Sequence, residues 1–244
     1  MAEKWKPSIV KAVEWRGEVG VGVAGAVFVT LDAVGKFDVD PSITAGVAAE
    51  YLCNRLAIAC GLPVPGASLT RRTDGSIAYT SIRFGSLKQN PAPVVPAAFV
   101  AEFPDLAAGI VAFDAWTLNR DRNAGNVAYI QNVQPPMIFD HEGCLGGKDR
   151  SSIVNLVDEL QTALSPGHCL AAHLTTAADL QAWTHVISGV HPRAWRTPLQ
   201  ELRAVRLLTA GEAKAIGEYL ENRRRLLVSV LRSSLPELDW GLFL

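Results

Sequence analysis

The sequence predicts an α+β protein with a small strand-rich N-terminal part, residues 1–90, and a larger, mainly helical part, residues 91–244. Short apolar runs broken by turn residues dominate the first part, which is typical of strands. After residue 96, apolar side chains recur mostly at helical spacing. The proline-rich segment 91–96 lies between these two compositions and is the best candidate for a domain boundary.

The elements of the N-terminal part follow from apolar periodicity and turn residues. Residues 26–31 are predicted to form a strand, 32–35 a turn and 36–40 a returning strand. A helix is predicted over residues 43–60, because apolar residues recur at helical spacing and Gly61 provides a stop signal. Two further strands, at 67–70 and 76–84, are joined by a turn at 73–75.

The C-terminal part begins with an apolar helix over residues 99–119 that should break near Pro104. Two short strands follow, separated by a polar segment. Amphipathic spacing predicts three more helices, of which the last is the most regular. The predicted strands are 127–130 and 137–139, and the predicted helices are 151–165, 176–189 and 210–233.

Charge and hydropathy exclude several classes of partner. The formal net charge is −1 and the sequence pI is near 6.5, so the whole chain attracts neither nucleic acid nor an anionic membrane. The first residues contain no apolar signal region, and the apolar stretch 19–31 is interrupted by glycines and too short to span a bilayer. We therefore expect a cytoplasmic protein with no nucleic-acid or membrane partner.

The four cysteines do not form a metal motif, because they lack a C-x-x-C pair and match no zinc spacing. Cys53 and Cys60 are seven residues apart within the predicted helix 43–60, which places them on one face. We expect both to be small buried hydrophobic residues.

A polar segment, NRDRNAGN at 119–126, separates a predicted buried helix from a predicted strand. A second charged segment, FDHEG at 139–143, directly follows the next strand. If the two strands pair as a hairpin, the loop before the first and the loop after the second lie at the same end. This arrangement brings Asp121, Asn126 and Asp140 within reach of one another.

These three residue types suit phosphoryl transfer. One carboxylate can orient an attacking hydroxyl, while an amide oxygen and a second carboxylate can hold Mg²⁺, which prefers oxygen ligands and keeps several waters. The alternative for 119–126 alone is a surface turn with local hydrogen bonds and an ion pair. The charged cluster immediately after the second strand favours the functional interpretation.

The pattern D-R-x-x-x-N, followed by a strand and by Phe139-Asp140-His141-Glu142-Gly143, resembles the catalytic and metal loops of HipA-like kinases and, more distantly, of phosphatidylinositol kinases. The resemblance implies a bilobal protein-kinase-like fold with a nucleotide-binding N-lobe and a helical C-lobe. It implies ATP and Mg²⁺ as cofactors. Asp121 would position the acceptor hydroxyl, and Asn126 and Asp140 would hold Mg²⁺.

The N-terminal part is similar to the same family over Glu50 and the stretch LAIACGLPVP at 56–65. The resemblance makes Glu50 the partner of a phosphate-binding lysine and places Phe84 on the strand that enters the adenine-contacting hinge. That lysine should end the strand before the helix, where this sequence has Asp40. Lys36 is the only lysine nearby, and on a strand it would share a face with Asp40, from which it could reach the phosphates. We favour the alternative that Lys36 is a solvated lysine beside a turn, because lysine is usually exposed.

Three functions follow from these observations. The first is an ATP- and Mg²⁺-dependent kinase that acts on a hydroxyl, with protein Ser or Thr as the expected acceptor. The second is a nucleotide-binding pseudokinase or interaction module that lacks the phosphate lysine. The third is a metal-dependent hydrolase using Asp121, Asp140 and His141, which ranks last because such sites usually need more ligands.

Overall fold

The computed structural model describes residues 12–18, 27–83, 92–130 and 134–241, which form seven strands and six α-helices. The strands are β1 (Ala12–Glu18), β2 (Val27–Leu31), β3 (Ala33–Lys36), β4 (Ala67–Arg71), β5 (Ile77–Ile82), β6 (Val127–Ile130) and β7 (Gln134–Ile138). The helices are α1 (Gly46–Cys60), α2 (Pro96–Glu102), α3 (Pro104–Trp116), α4 (Ala178–Gly189), α5 (Arg193–Ala204) and α6 (Ala210–Ser234). The predicted mixture of helices and small sheets is confirmed.

Three small antiparallel sheets form the β-structure: β1 with β2, β3-β5-β4 with β5 in the centre, and the hairpin of β6 and β7. The turn between β4 and β5 contains Gly75 at φ 86°, a conformation that glycine adopts without steric cost. The predicted hairpin at 67–84 is therefore confirmed up to Ile82, and the end of the predicted strand at Phe84 lies outside the described residues.

The predicted turn at 32–35 and strand at 36–40 are wrong. Strand β3 covers Ala33–Lys36 and pairs with β5, so that Lys36 lies opposite Tyr79 and is the last residue of the strand. After Lys36 the chain leaves the sheet, and side-chain hydrogen bonds hold it instead of pairing with a strand. The Asp38 carboxylate accepts hydrogen bonds from the Gly46 and Val47 amides, which anchors the connection to the start of α1.

Helix α1 is the central element of the N-terminal part. It begins three residues later than predicted and ends where predicted, at Gly61, whose φ of 79° lets its N–H reach the carbonyls of Ala57 and Ile58. The helix packs against α5, β5 and β4, and most of its side chains are buried. Cys53 and Cys60 are among them, as predicted, and burial raises the pKa of the Cys60 thiol to about 12.

The predicted helix over 99–119 divides at Phe103 into α2 and α3, because Pro104 begins a new helix. Every residue of α3 from Ala107 to Trp116 is buried, and α3 packs against α4 and α6. Among the described helices, none is by itself long and apolar enough to span a membrane; the pair α2 and α3, bent by 116°, meets that test only by joint length and composition.

Two of the C-terminal helices lie where the sequence predicted them, and two helical segments differ from the prediction. α4 and α6 lie where predicted, and Thr209 with Glu212 forms a capping box at the start of α6. Residues Arg150–Glu159 form 3₁₀-helix, in place of the α-helix predicted over 151–165. Helix α5 was not predicted, because Pro198 interrupts its sequence.

Candidate functional site

Three side chains from different elements converge on one point. Lys36 Nζ at the end of β3 lies 2.5 Å from Glu50 Oε1 on α1 and 2.6 Å from Asp140 Oδ1, which follows β7. One third of the Lys36 side chain is exposed, and the Glu50 side chain is almost completely buried. The expectation that Lys36 is a solvated lysine beside a turn is therefore wrong, since its ammonium group is held between two carboxylates.

Asp40 does not join this cluster. It is the residue at the position where the resemblance implies a phosphate-binding lysine. It is exposed, and its carboxylate accepts hydrogen bonds from the Ser42 amide and hydroxyl at 2.9 and 2.6 Å. Strand β3 ends four residues earlier, at Lys36, and residues 37–45 form the connection to α1. The lysine that ends the strand before the helix is thus Lys36.

Electrostatics couple Glu50 to its neighbours. Burial alone would raise the pKa of Glu50, but His141, whose Nδ1 lies 3.8 Å from Glu50 Oε2, and Lys36 outweigh it and hold the pKa at about 2. Burial would lower the pKa of Lys36, but Glu50 and Asp140 reverse this effect and raise it. The lysine and Glu50 therefore stabilise each other's charged forms.

The loop at 119–126 is held by a buried guanidinium. Arg122 donates from Nε and Nη2 to the two carboxylate oxygens of Asp114 on α3, at 2.7 and 3.0 Å. Its Nη1 donates to the carbonyls of Asn126 and Phe139 at 3.0 and 2.9 Å. One side chain therefore connects α3, the polar loop and the residue that precedes Asp140.

Asp114 has two further buried partners, Asn119 and His168. It accepts hydrogen bonds from Asn119 Nδ2 at 2.9 Å and lies 3.0 Å from His168 Nε2. Burial would raise the pKa of Asp114, but Arg122 and His168 keep that pKa far below its ordinary value. The sequence contained a signal for this network, because an aspartate within the apolar helix 104–116 must be paired if the helix is buried.

The two candidate loops meet at one end of the hairpin. β6 and β7 pair antiparallel, as predicted, with Val127 opposite Ile138, and the Phe139 amide donates to the Asn126 carbonyl. Asn126 Nδ2 donates to the Asp121 carbonyl at 2.9 Å, which orients the amide and leaves its Oδ1 as the remaining polar atom. Asp140 has φ 62°, a left-handed conformation that is uncommon outside glycine and is concentrated at functional sites.

Two residues to which the sequence assigned no role, Glu142 and Lys148, connect Asp121 with Asp140. Lys148 Nζ lies 2.5 Å from Asp121 Oδ2 and 3.5 Å from Glu142 Oε1. Carboxylate oxygens of Glu142, Asp140 and Glu50 all lie within 4.8 Å of one another. Hydrogen bonding to Asp121 raises the pKa of Lys148. No local pattern identified Lys148, whose partner Asp121 is distant in sequence, and Glu142 lay within the charged segment 139–143 without an assigned role.

The formal charges of this cluster do not cancel. The four carboxylates of Glu50, Asp121, Asp140 and Glu142 surround the two ammonium groups of Lys36 and Lys148. Two negative charges remain in excess. The carboxylates and the nearby Asn126 amide offer oxygen atoms, which are the ligands that Mg²⁺ prefers. The two ammonium groups are suited to binding phosphate oxygens.

Space for a substrate lies beside Asp121. A cavity of about 270 Å³ is lined there by Leu118, Arg120, Asp121, Gly143, Gly146, Lys148, Asp149, Ser152, Leu156 and Glu159. A larger groove lies elsewhere, between α5 and α6, and contains none of the cluster residues. Phe84, predicted to bind the nucleotide from the strand that enters the adenine-contacting hinge, lies outside the described residues.

Comparison with known proteins supports a kinase fold. No family model and no curated protein matches this sequence. The crystal structure of the proinflammatory kinase CtkA of Helicobacter pylori matches with a TM-score of 0.57 and 15% identity, over 97% of this chain and 100% of that one. HipA of Shewanella oneidensis, from a structure with HipB and operator DNA, matches with a TM-score of 0.42 and 14% identity, over 97% and 68%. The first likeness shows that this chain has a kinase fold; the second is too low to add weight.

Replacing Arg122 should be strongly destabilising. Arg122→Met leaves the Asp114 carboxylate buried without its main partner, so we expect the free energy of unfolding to fall by about 3–5 kcal/mol. Urea denaturation measures this change. The matched control is Arg120→Met, which removes an exposed arginine paired with Glu159 and should cost less than about 1 kcal/mol. Equal losses in the two variants would contradict the role given to Arg122.

The contribution of Glu50 to stability should depend on acid pH. Because folding lowers its pKa from 4.5 to about 2, the contribution is complete above pH 4.5 and is lost as the pH falls through about 2. The difference in unfolding free energy between the wild type and Glu50→Gln should therefore shrink by about 1.4 kcal/mol per pH unit within this window. Denaturation curves at pH 7, 4.5 and 3 measure it. A difference that stays constant from pH 7 to 3 would disprove the coupling.

Proposed function

We propose that this chain is an ATP- and Mg²⁺-dependent kinase that transfers a phosphoryl group to the hydroxyl of a protein Ser or Thr. The observation that carries the proposal is the convergence of Lys36, Glu50 and Asp140 in a chain with a kinase fold. In this proposal the fold is bilobal: residues 1–90 form a nucleotide-binding N-lobe and residues 91–244 a C-lobe that carries the catalytic and metal loops.

Lys36 binds the phosphates of the nucleotide in this proposal. Its Nζ lies at the mouth of the cluster, and Glu50 fixes its position from the buried side. Asp140 and the Oδ1 of Asn126 would hold Mg²⁺, and their oxygen donors fit that ion. Bound Mg²⁺ would neutralise charge on the triphosphate. Asp140 contacts Lys36 directly, so the lysine and the metal ligand belong to one site.

Asp121 orients the acceptor. Its carboxylate borders the cavity of about 270 Å³, where it can accept a hydrogen bond from the acceptor hydroxyl. A bond then forms between the acceptor oxygen and the γ-phosphorus, and the bond from that phosphorus to the bridging oxygen breaks. ADP leaves with the electron pair, and the hydroxyl proton passes to Asp121. Lys148, next to Asp121, stabilises the negative charge on the transferred group.

The two alternative functions receive less support from these contacts. The pseudokinase alternative depended on a missing lysine, and Lys36 occupies the end of the strand next to Glu50. The hydrolase alternative required His141 as a metal ligand. His141 is buried against Glu50 and Phe113, and the group of possible ligands within the described residues consists of Glu50, Asp140 and Glu142. A protein acceptor and a cytoplasmic location remain predictions of the sequence.

Nucleotide binding should require Lys36 and tolerate loss of Asp40. With ATP and Mg²⁺ at about 100 times the dissociation constant, ligand binding should stabilise the folded protein by about 2.7 kcal/mol, which a thermal melt detects. Lys36→Met should lose most of this stabilisation. Asp40→Asn removes an exposed carboxylate outside the cluster and should retain it. No shift in the wild type at millimolar ATP would disprove nucleotide binding.

Phosphoryl transfer should require Asp121 and Asp140. With labelled ATP and a library of peptides that contain Ser or Thr, we expect Asp121→Ala and Asp140→Ala to lower the transfer rate about 10²–10⁴-fold, because each removes a group that acts on the reacting atoms. Asp74→Ala replaces an exposed aspartate in the turn between β4 and β5, which lines neither the cluster nor the cavity, and should transfer at the wild-type rate. Full activity in either site variant would show that the site is assigned wrongly.

A further inference from the structure

The arginine side chains differ in whether they have hydrogen-bond or ion-pair partners. Where the structure describes their side chains, most arginines donate to a carboxylate or a carbonyl, as Arg55, Arg72 and Arg150 do. Within that same part of the chain, four guanidinium groups make neither a hydrogen bond nor an ion pair, and all four are exposed. They are Arg193, Arg196, Arg203 and Arg206.

These four arginines lie on α5 and in the turn that follows it. Arg193, Arg196 and Arg203 are separated by three and seven residues, so they share one face of the helix over about 15 Å. Arg196 and Arg203 line the groove of about 470 Å³ between α5 and α6. The positive charge therefore forms a stripe along one wall of a concave surface.

The rest of the groove is apolar, polar without charge, as at Gln200 and Asn222, or lined by acidic residues that already have partners. Leu199 and Ala213 contribute apolar surface between the two helices. The acidic residues of the opposite wall have partners on α6: Glu218 lies 3.9 Å from Lys214, and Glu221 pairs with Arg224 and Arg225 at 2.8 and 2.7 Å. The uncompensated charge of the groove is therefore positive, although the chain as a whole has a net charge of −1.

We propose that this groove binds an acidic, amphipathic helical segment of another protein. Carboxylates spaced seven residues apart on such a helix match the separation of Arg196 and Arg203, and apolar side chains on the same face enter the groove beside Leu199 and Ala213. Arg193 and Arg206 extend the contact at its two ends. This surface contains none of Lys36, Glu50, Asp121 and Asp140, so the proposal does not depend on the proposed kinase activity.

An acidic peptide fits this groove better than a nucleic acid does. A phosphate backbone would pair with the arginines but would leave the apolar strip between the helices uncovered. A helix with one acidic edge places its charges on the α5 side only. The length of the stripe, about 15 Å, corresponds to about ten residues of helix.

The test is a selection from a displayed library of random 16-residue peptides against the whole chain. We expect the enriched peptides to combine Glu or Asp at i and i+7 with apolar residues at i+3 or i+4. Their dissociation constants, measured by fluorescence anisotropy, should rise about tenfold for the double variant Arg196→Gln with Arg203→Gln, because two charge pairs are lost. The matched control, Arg71→Gln with Arg72→Gln, removes the same charge from β4 and the turn after it and should bind unchanged.

Three results would overturn the proposal. The first is a selection with no enrichment of acidic residues over the starting library. The second is a set of selected peptides that binds the Arg196 and Arg203 double variant as tightly as the wild type. The third is displacement of the peptides by a single-stranded oligonucleotide of equal charge at equal concentration, which would identify the groove as a nucleic-acid surface. Thermal melts of the variants check folding, which these exposed side chains should not affect.

Discussion

The site depends on the buried ion pair between Arg122 and Asp114. A charged pair in a dry interior is costly unless every donor and acceptor finds a partner. Here Arg122 satisfies both carboxylate oxygens of Asp114 and the carbonyls of Asn126 and Phe139. Those two carbonyls belong to the candidate metal ligand Asn126 and to the neighbour of Asp140. The same interaction that neutralises a buried aspartate therefore sets the relative positions of the two loops.

The cluster of Lys36, Glu50 and Asp140 brings together residues that are distant in sequence. Lys36 is separated from Glu50 by 14 residues and from Asp140 by 104, yet its ammonium group contacts both carboxylates. Each partner is placed by a different element: β5 fixes the strand that ends at Lys36, α1 carries Glu50, and the β6–β7 hairpin delivers Asp140. If any one of these elements were displaced, at least one charged group of the cluster would lose its partner. The cluster therefore requires that all three elements are packed correctly.

The sequence predicted correctly the features that single residues determine through their own backbone conformation. Gly61 ended α1 and Pro104 separated α2 from α3, because each residue restricts its own backbone. The lysine was misjudged because counting residues cannot show where a strand ends, and the ladder with β5 ends β3 at Lys36. Lys148 was missed for a related reason: its partner Asp121 is distant in sequence, and a single charged residue in a loop has no pattern. Glu142 lay within the charged segment 139–143, but its closeness to Glu50 and Asp140 follows only from the fold.

Helix α1 links the two surfaces that carry charge. Glu50 contacts Lys36, while the next residue, Tyr51, donates its hydroxyl to Glu201 on α5 at 2.7 Å. α5 also carries the unpaired arginines that line the groove with α6. Because α1 is buried on most of its sides, it has little room to move independently of α5. The position of Glu50, and through it that of Lys36, is therefore constrained by the packing of the helix that bears the basic stripe. Helix α1 therefore contacts both the cluster of Lys36, Glu50 and Asp140 and the helix that lines the groove, although the two surfaces share no residue.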